Sequence, residues 1–223
     1  MEDRQSGVGG SGAGLRKWRG KSLDCAFTHY LITVAPLVVG LWLLYTLLGT
    51  DQACHEFFRA FRHEHPGLTP LVRFITDWGN PLFYAVYAAL LLRGVVGRDK
   101  KLVRFVFLYI LVQVCVSLLL VRVLKITLGR PRPGEGHIHD FFSFSGSYNS
   151  LPSGHTTEIT TAATPLALWG KKIWLSLGLG AIIALVALSR IYLGWHHPSD
   201  VLFGLILGSW GAWLIHVFGW NKT

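Results

Sequence analysis

The chain has 223 residues, of which 51% are hydrophobic and only 15% charged, and its formal net charge is +9. Soluble domains contain about 25% charged residues, so this composition indicates a membrane protein. The basic residues do not form a stripe with interleaved aromatic side chains, which argues against a nucleic-acid partner. The length suits a single compact helical domain in the bilayer.

Crossing a bilayer takes roughly 20 mainly apolar residues, and six segments approach that length. We therefore predict an all-α fold, a six-transmembrane-helix bundle within residues 30–218. The fourth segment is short and begins with polar residues, so we expect it to be sheltered inside the bundle beside the functional site. Residues 1–29 are predicted to be a basic cytoplasmic tail, disordered in its Gly- and Ser-rich first part. The predicted spans are 30–48, 81–96, 102–124, 156–169, 173–188 and 201–218.

Lys and Arg residues set the predicted orientation. Outside the motifs described below, most of them fall in residues 1–29, 97–101, 170–172 and 219–223. The positive-inside rule then places both termini in the cytoplasm. The sequence therefore predicts that the opposite ends of the spans, which carry the candidate site, face outward.

A short helix is predicted between the first two spans, over residues 55–65. Phe57, Phe58 and Phe61 share one side of it, whereas Arg59 and Arg62 point elsewhere. This amphipathic pattern is typical of a helix lying in the membrane interface. We expect it either to gate lipid entry or simply to connect the two spans.

Three fixed cations stand at span ends where an anion could meet them. Lys125 and Arg132 flank the end of the third span, and Arg190 ends the fifth. Phosphoryl transfer needs positive charge around the three equatorial oxygens, and guanidinium groups add bidentate geometry. Pro131 and Pro133 end the helix, so Arg130 and Arg132 can point in different directions. Arg130 can then face lipid headgroups instead of the site.

The tetrapeptide Pro152-Ser153-Gly154-His155 comes directly before the fourth span. Ser153 is a suitable N-cap, and a helix N-terminus offers unpaired N–H groups and a favourable dipole to an anion. Gly154 allows close approach of the backbone to a phosphate. His155 lies at the mouth of the span, where an idle imidazole would be costly to bury, which favours a catalytic role.

His196 and Asp200 are four residues apart across Pro198, at the start of the last span. If Pro198 occupies the first helical turn, the carboxylate can orient the imidazole and leave its other nitrogen as a nucleophile. Asp200 could also act as a plain helix cap. We interpret the neighbouring His197 as structural.

Together, Lys125–Pro133, Pro152–His155 and Ser189–Asp200 resemble the three-part signature of the type 2 phosphatidic acid phosphatase and vanadium haloperoxidase superfamily, without departure from it. The resemblance implies a helical bundle and metal-independent phosphatase chemistry through a phosphohistidine, with no cofactor. It implies that His196 is the nucleophile, His155 the general acid and Asp200 the partner of His196. The residues it implies for phosphate binding are Lys125, Arg132, Ser153, Gly154 and Arg190.

The leading hypothesis is an integral-membrane lipid phosphatase at the outer face of a bacterial inner membrane. Its substrate could be undecaprenyl diphosphate, phosphatidylglycerol phosphate, phosphatidic acid or a lipid A phosphate. A phosphotransferase would share every motif residue, whereas a haloperoxidase is disfavoured because its relatives are soluble. A non-catalytic anion transporter would not need His155. The loop residues His137, His139 and Asp140 are too loosely placed to predict a metal site.

Overall fold

The computed structural model describes residues 11–136 and 138–219, with side chains from residue 25 onward. The described residues form eight α-helices, with a long loop over residues 129–153, and five of the helical stretches are long and apolar enough to cross a membrane. The predicted all-α bundle with a short extra helix is therefore confirmed. The helices are α1 Ser11–Leu48, α2 Asp51–Glu64, α3 Leu68–Val96, α4 Lys100–Val112, α5 Val121–Leu128, α6 Gly154–Gly170, α7 Ile173–Tyr192 and α8 Pro198–Gly219.

Two helices differ from the predicted segments. Helix α3 begins at Leu68, and Pro81, where we expected the span to start, lies inside it. The predicted tail, 1–29, falls partly outside the described residues, and α1 takes in the remainder from Ser11. The third span is one continuous helical stretch in which a π-helix, Gln113–Leu120, joins α4 to α5. A π-helical turn often marks a functional region.

Helix α6 is the centre of the bundle, as its polar sequence led us to expect. Most of its residues are buried, including Thr156, Thr157, Thr160 and Thr161. It packs against α8 and α7, and also against α1 and α3. A 17-residue helix with so many hydroxyl groups is tolerated in a bilayer because other helices, and not lipid, surround it.

Glycines let α8 approach α6 closely. A Cβ placed on Gly204 would lie 2.7 Å from the Ser153 carbonyl oxygen, and one on Gly208 would lie 2.6 Å from that of Thr157. Both distances are shorter than any real contact of this kind. Small residues at helix interfaces allow such close backbone packing in membranes. The α6–α8 contact holds the start of α6 beside the start of α8.

We expect Gly208→Ala to destabilise the protein, because the added methyl group meets backbone that cannot move aside cheaply. Overpacking of this kind typically costs about 1–3 kcal/mol. Gly178→Ala is the matched control, since a Cβ at that helical glycine has no atom within 4 Å. Thermal unfolding in detergent should show a lower midpoint for Gly208→Ala only. Equal midpoints for the two variants would contradict this account of the packing.

The chain runs up and down, so several helix ends meet at one end of the bundle. Helices α5 and α7 end there, and α6 and α8 begin there. Helix α2 lies at the same end, where the Arg62 guanidinium donates to the Tyr192 carbonyl oxygen. The rings of Phe58 and Phe61 pack on the Tyr192 ring, at 5.9 and 6.3 Å between centroids. All three sequence motifs therefore reach one face of the molecule.

Candidate active site

Lys125 lies in the last turn of α5 and points toward the start of α6. Its ammonium group donates to the Asn149 carbonyl oxygen at 2.7 Å, and its Cε lies 3.9 Å from the position of a Cβ on Gly154. Gly129 then ends the helix in the left-handed conformation, with φ of 50°. A side chain there would collide with the Asp140 backbone, so the loop after α5 packs tightly against the helix end.

Two of the guanidinium groups in the motifs carry N–H donors that are buried and have no partner among the residues that the structure describes. The Nε atoms of Arg132 and Arg190 are in this state. Arg190 is only 6% exposed, stacks over the Trp195 ring at 4.1 Å and donates to the Thr76 hydroxyl at 3.0 Å. A buried unpaired donor is costly, so each guanidinium is suited to receive an anion. Two buried guanidinium groups with available donors fit the predicted binding of phosphate.

Ser153, Gly154 and His155 form the first turn of α6. The Ser153 side chain is fully buried and accepts from the Thr156 hydroxyl at 2.9 Å, but it makes no capping bond to the helix backbone. Its own backbone N–H donates to the Asp200 carbonyl oxygen at 3.0 Å. The Ser153 N–H is therefore not free to bind an anion, although the sequence had suggested unpaired N–H groups at this helix start. Donors for a phosphate must come from the turn that follows.

His196 lies in the short connection between α7 and α8 and is 3% exposed. Its backbone N–H donates to the Arg190 carbonyl oxygen at 3.3 Å. Burial lowers the pKa of the His196 imidazole to about 4. The ring is therefore neutral near pH 7, which is the protonation state that a nucleophilic imidazole requires.

The carboxylate of Asp200 is fully buried and lies close to His196. The distance from His196 Nδ1 to Asp200 Oδ2 is 3.6 Å, which is too long for a direct hydrogen bond but close enough for an ion pair when the ring is protonated. The carboxylate instead accepts from the Ser150 hydroxyl at 2.5 Å and from the His197 backbone N–H at 2.8 Å. Asp200 thus caps the start of α8, one of the two roles that the sequence left open, and its carboxylate lies beside the His196 ring.

The placement of Arg130 differs from the sequence-based expectation. Arg130 does not face lipid headgroups; its Nη1 donates to Asp200 at 2.5 Å and its Nη2 to Asp51 at 2.9 Å. Sequence reasoning missed Arg130, Ser150 and Asp51 as site residues. The only sequence signal for Arg130 was its position two residues before Arg132, in the same loop.

The six predicted residues that carry charge or can carry it come together. Electrostatic interactions link His155 with Arg190, His196, Lys125 and Arg132, and Asp200 with His196. The structure thus brings the charged and imidazole groups of all three motifs into one cluster. Ser153 and Gly154 lie at its edge, at the start of α6.

A lateral cavity of about 370 Å³ opens between α3 and the π-helix of the third span. Its walls include Tyr84 and Leu118, and its polar floor is formed by Gln113, Ser117 and Glu158. Glu158 lies one helical turn after His155 and accepts from the Asn80 amide at 2.7 Å. The cavity is therefore mostly apolar and lies next to the helix that carries the candidate acid.

Metal ligands are sparse in the part of the chain that the structure describes. Within residues 11–136 and 138–219, no group of three or more His, Cys, Asp or Glu side chains is arranged to hold a metal ion. His139 Nδ1 donates to the Leu128 carbonyl oxygen at 3.0 Å. His137 lies outside the described residues.

A cluster of cations and two imidazoles lies at one end of a bundle with five candidate membrane spans among the described residues. The chain belongs to the PAP2 superfamily, since the model of that family matches residues 102–223, more than half of the chain. The family resemblance drawn from the motifs is thereby confirmed.

Curated relatives agree with this membership. The chain is 27% identical to an undecaprenyl-diphosphatase of Sulfolobus acidocaldarius, over 84% of this chain and 89% of that protein. It is 34% identical to a lipid A 1-phosphatase of Rhizobium etli, but over only 46% and 45% of the two chains. The chain thus matches less than half the length of the lipid A 1-phosphatase.

A solved structure shares the fold. The transmembrane PAP2-type phosphatidylglycerolphosphate phosphatase of Bacillus subtilis superposes with a TM-score of 0.57, over 83% of this chain and 95% of the other. At 24% sequence identity the likeness supports the fold alone.

Proposed function

We propose that this protein is a lipid phosphatase that removes phosphate from a phosphomonoester or diphosphate of a membrane lipid. The observation that carries the proposal is the meeting of two imidazoles, His155 and His196, with three cations at one end of a membrane bundle. The buried, unpaired Nε atoms of Arg132 and Arg190 support phosphate as the anion. Transport alone would not need the second imidazole.

In the first step, Nε2 of neutral His196 attacks phosphorus while the bond from phosphorus to the lipid oxygen breaks. Asp200 stabilises the positive charge that develops on the ring, because its carboxylate lies 3.6 Å from Nδ1. Lys125, Arg132 and Arg190 neutralise the phosphoryl oxygens, a task for which many phosphoryl-transfer enzymes use a metal ion. The products of this step are a phosphohistidine and the lipid leaving group, an alkoxide from a phosphomonoester or a lipid phosphate from a diphosphate, whose oxygen takes up a proton.

His155 supplies that proton as the general acid. In the free enzyme both burial and the neighbouring cations oppose a charged imidazole at this position. A bound phosphate dianion offsets those charges, so that the imidazolium is stabilised when substrate is present. In the second step neutral His155 takes a proton from water as the water attacks phosphorus, which releases phosphate and restores His196.

The lateral cavity supports a lipid as the carrier of the phosphate. It opens beside α6, and its walls are mostly apolar, as expected for a site that accommodates a hydrocarbon chain. The relatives include proteins named for undecaprenyl diphosphate and lipid A. Undecaprenyl diphosphate, phosphatidylglycerol phosphate, phosphatidic acid and lipid A are therefore the substrates to compare.

The purified protein in detergent should release inorganic phosphate from at least one of these four lipids, and should do so in the presence of EDTA. Three fixed cations supply the charge that a metal would otherwise provide. A His196→Ala preparation controls for contaminating phosphatases. No phosphate release from any of the lipids would contradict the proposed function, and release that EDTA abolishes and magnesium restores would contradict metal independence.

The active site faces the outside of a bacterial inner membrane in this proposal, and both termini are cytoplasmic. The support is the excess of Lys and Arg at the other end of the spans. The native Cys54 would have been a convenient outer reporter, but its side chain is fully buried in α2. Exposed positions on each side are needed instead.

Ser145→Cys and Lys171→Cys provide such positions, because both residues are exposed and lie at opposite ends of the bundle. The three native cysteines are first replaced with alanine. A membrane-impermeant thiol reagent should label position 145 in intact cells and position 171 only after permeabilisation. Labelling of 171 without 145 in intact cells would reverse the proposed orientation.

A further inference from the structure

Arg130 links two carboxylates that come from distant parts of the chain. Its Nη1 donates to Asp200 at 2.5 Å and to the Ser199 hydroxyl at 2.8 Å, and its Nη2 donates to Asp51 at 2.9 Å. Asp51 is the first residue of α2, the short helix at the active-site end of the bundle. The motif carboxylate is thus connected through Arg130 to a helix that belongs to none of the motifs.

Asp51 is firmly held in this position. One carboxylate oxygen accepts from the Tyr45 hydroxyl at 2.7 Å and from the Ser199 backbone N–H at 3.2 Å, and the other accepts from Arg130 and the Ser199 hydroxyl. Burial alone would raise the pKa of Asp51, but the hydrogen bonds from Ser199, Tyr45 and Arg130 lower it. Asp51 is therefore an anion near pH 7.

The charges explain why Arg130 needs a second carboxylate. An arginine paired with Asp200 alone would cancel the negative charge that should face His196. With Asp51 on its other side, the group of two carboxylates and one guanidinium keeps a net charge of −1. The guanidinium can then fix the orientation of Asp200 through a short hydrogen bond without removing its ability to stabilise a positive imidazole.

We propose that Asp51 and Arg130 are positioning residues that hold Asp200 in place beside His196 and preserve its negative charge. Neither residue contacts His196 directly in the hydrogen-bond network. The proposal rests on the proposed function, because it assigns their role in the attack by His196. It makes α2 part of the catalytic apparatus in addition to being a connector.

Substitutions of Arg130 and of Asp51 should have opposite effects on the protonation of His196. Asp200 from α8, Lys125 from α5, Arg190 from α7 and His155 from α6 also act on that ring, and both substitutions leave those four unchanged. Arg130→Gln removes a positive charge from beside Asp200, which favours protonated His196. Asp51→Asn leaves Arg130 to neutralise Asp200, which disfavours it.

The fall of kcat/KM on the acidic side of its pH profile, here called the acid limb, reports the protonation of the essential base in the free enzyme. Arg130→Gln should therefore move this limb to higher pH, by about one pH unit. Asp51→Asn should not move it upward. Both variants should lower kcat by about 10- to 100-fold, as is typical when an orienting partner is lost, with little change in KM because neither residue holds phosphate.

The assay uses p-nitrophenyl phosphate and, in parallel, the lipid phosphate that the wild-type enzyme hydrolyses fastest. Arg130→Lys keeps the charge but not the fork that reaches two carboxylates, so its rate should be intermediate and its acid limb should match the wild type. Arg59→Gln is the control for net charge, since Arg59 is exposed on α2 and should change neither parameter. Unfolding midpoints establish that each variant is folded.

A double variant gives a second test. If Asp51 acts only through Arg130, then Asp51→Asn should have no further effect on kcat in the Arg130→Gln background. An acid limb that does not move to higher pH in Arg130→Gln, or that does so in Asp51→Asn, would overturn the proposal. An inactive wild-type enzyme would instead contradict the proposed function, so the two failures can be told apart.

Discussion

Replacing His196 with alanine is expected to abolish turnover of every phosphate substrate and to prevent formation of a phosphorylated protein. The His196 imidazole is the nucleophile in the proposed mechanism, in which His155, the other imidazole of the cluster, acts as the general acid. Rapid quenching with a labelled substrate should trap a phosphoprotein in the wild type and none in His196→Ala. A labelled protein in that variant would show that another residue is the nucleophile.

His155→Ala should also lose activity, by about 10²–10⁴-fold, which is the usual contribution of a general acid. The loss should depend on the leaving group, because a good leaving group departs without a proton. An aryl phosphate should therefore partly restore turnover by His155→Ala but not by His196→Ala. The measurement is the turnover of an alkyl and an aryl phosphate by each of the two variants. Equal restoration of turnover in both variants would mean that the roles of the two histidines are wrongly assigned.

Removing the Arg190 guanidinium should be the next most damaging change. Arg190→Met should lower kcat by about 10²–10³-fold, comparable to the loss of a donor that stabilises developing negative charge. Its Nε is buried without a partner, and its stacking on Trp195 fixes the guanidinium plane. Arg190→Lys should restore only part of the rate, since an ammonium group lacks bidentate geometry.

Arg122→Met is the matched control for Arg190→Met. Arg122 is exposed on α5, three residues before Lys125, and its charge acts on Lys125 from a distance. Its removal should change kcat by no more than a few-fold. If the two methionine variants were equally impaired, the general positive field, and not direct contact by Arg190, would account for phosphate binding.

Much of the fold follows from composition and pattern alone. Apolar segments near 20 residues long must cross the bilayer as helices, because lipid leaves no other way to satisfy the backbone. The polar start of α6 likewise indicated a helix sheltered by its neighbours, and Thr156, Thr157 and Thr160 are buried. Only the ends of the helices were poorly predicted: α3 begins 13 residues before Pro81, because a proline inside a membrane helix can be accommodated by neighbouring groups.

The principal site residues were also predictable, because each motif stands at the end of a span. Alternating helices bring such ends to one face, so Lys125, His155, Arg190 and His196 had to meet if the spans were right. The chemistry of cations and imidazoles then indicated a phosphate site before any distance was known. Pairwise distances inside the cluster were not predictable in the same way.

What the sequence alone determined is therefore the bundle, the charged and imidazole groups of the candidate site and the face on which they gather, since these depend on local hydrophobicity and residue type. Only the tertiary structure decided how Asp200 is held. Its partner Arg130 appeared to be a headgroup contact, and Asp51 lies 149 residues away in a helix without a motif. Such a network depends on how α2 packs against the end of α7 and the start of α8, and long-range packing leaves no periodic signal in the chain.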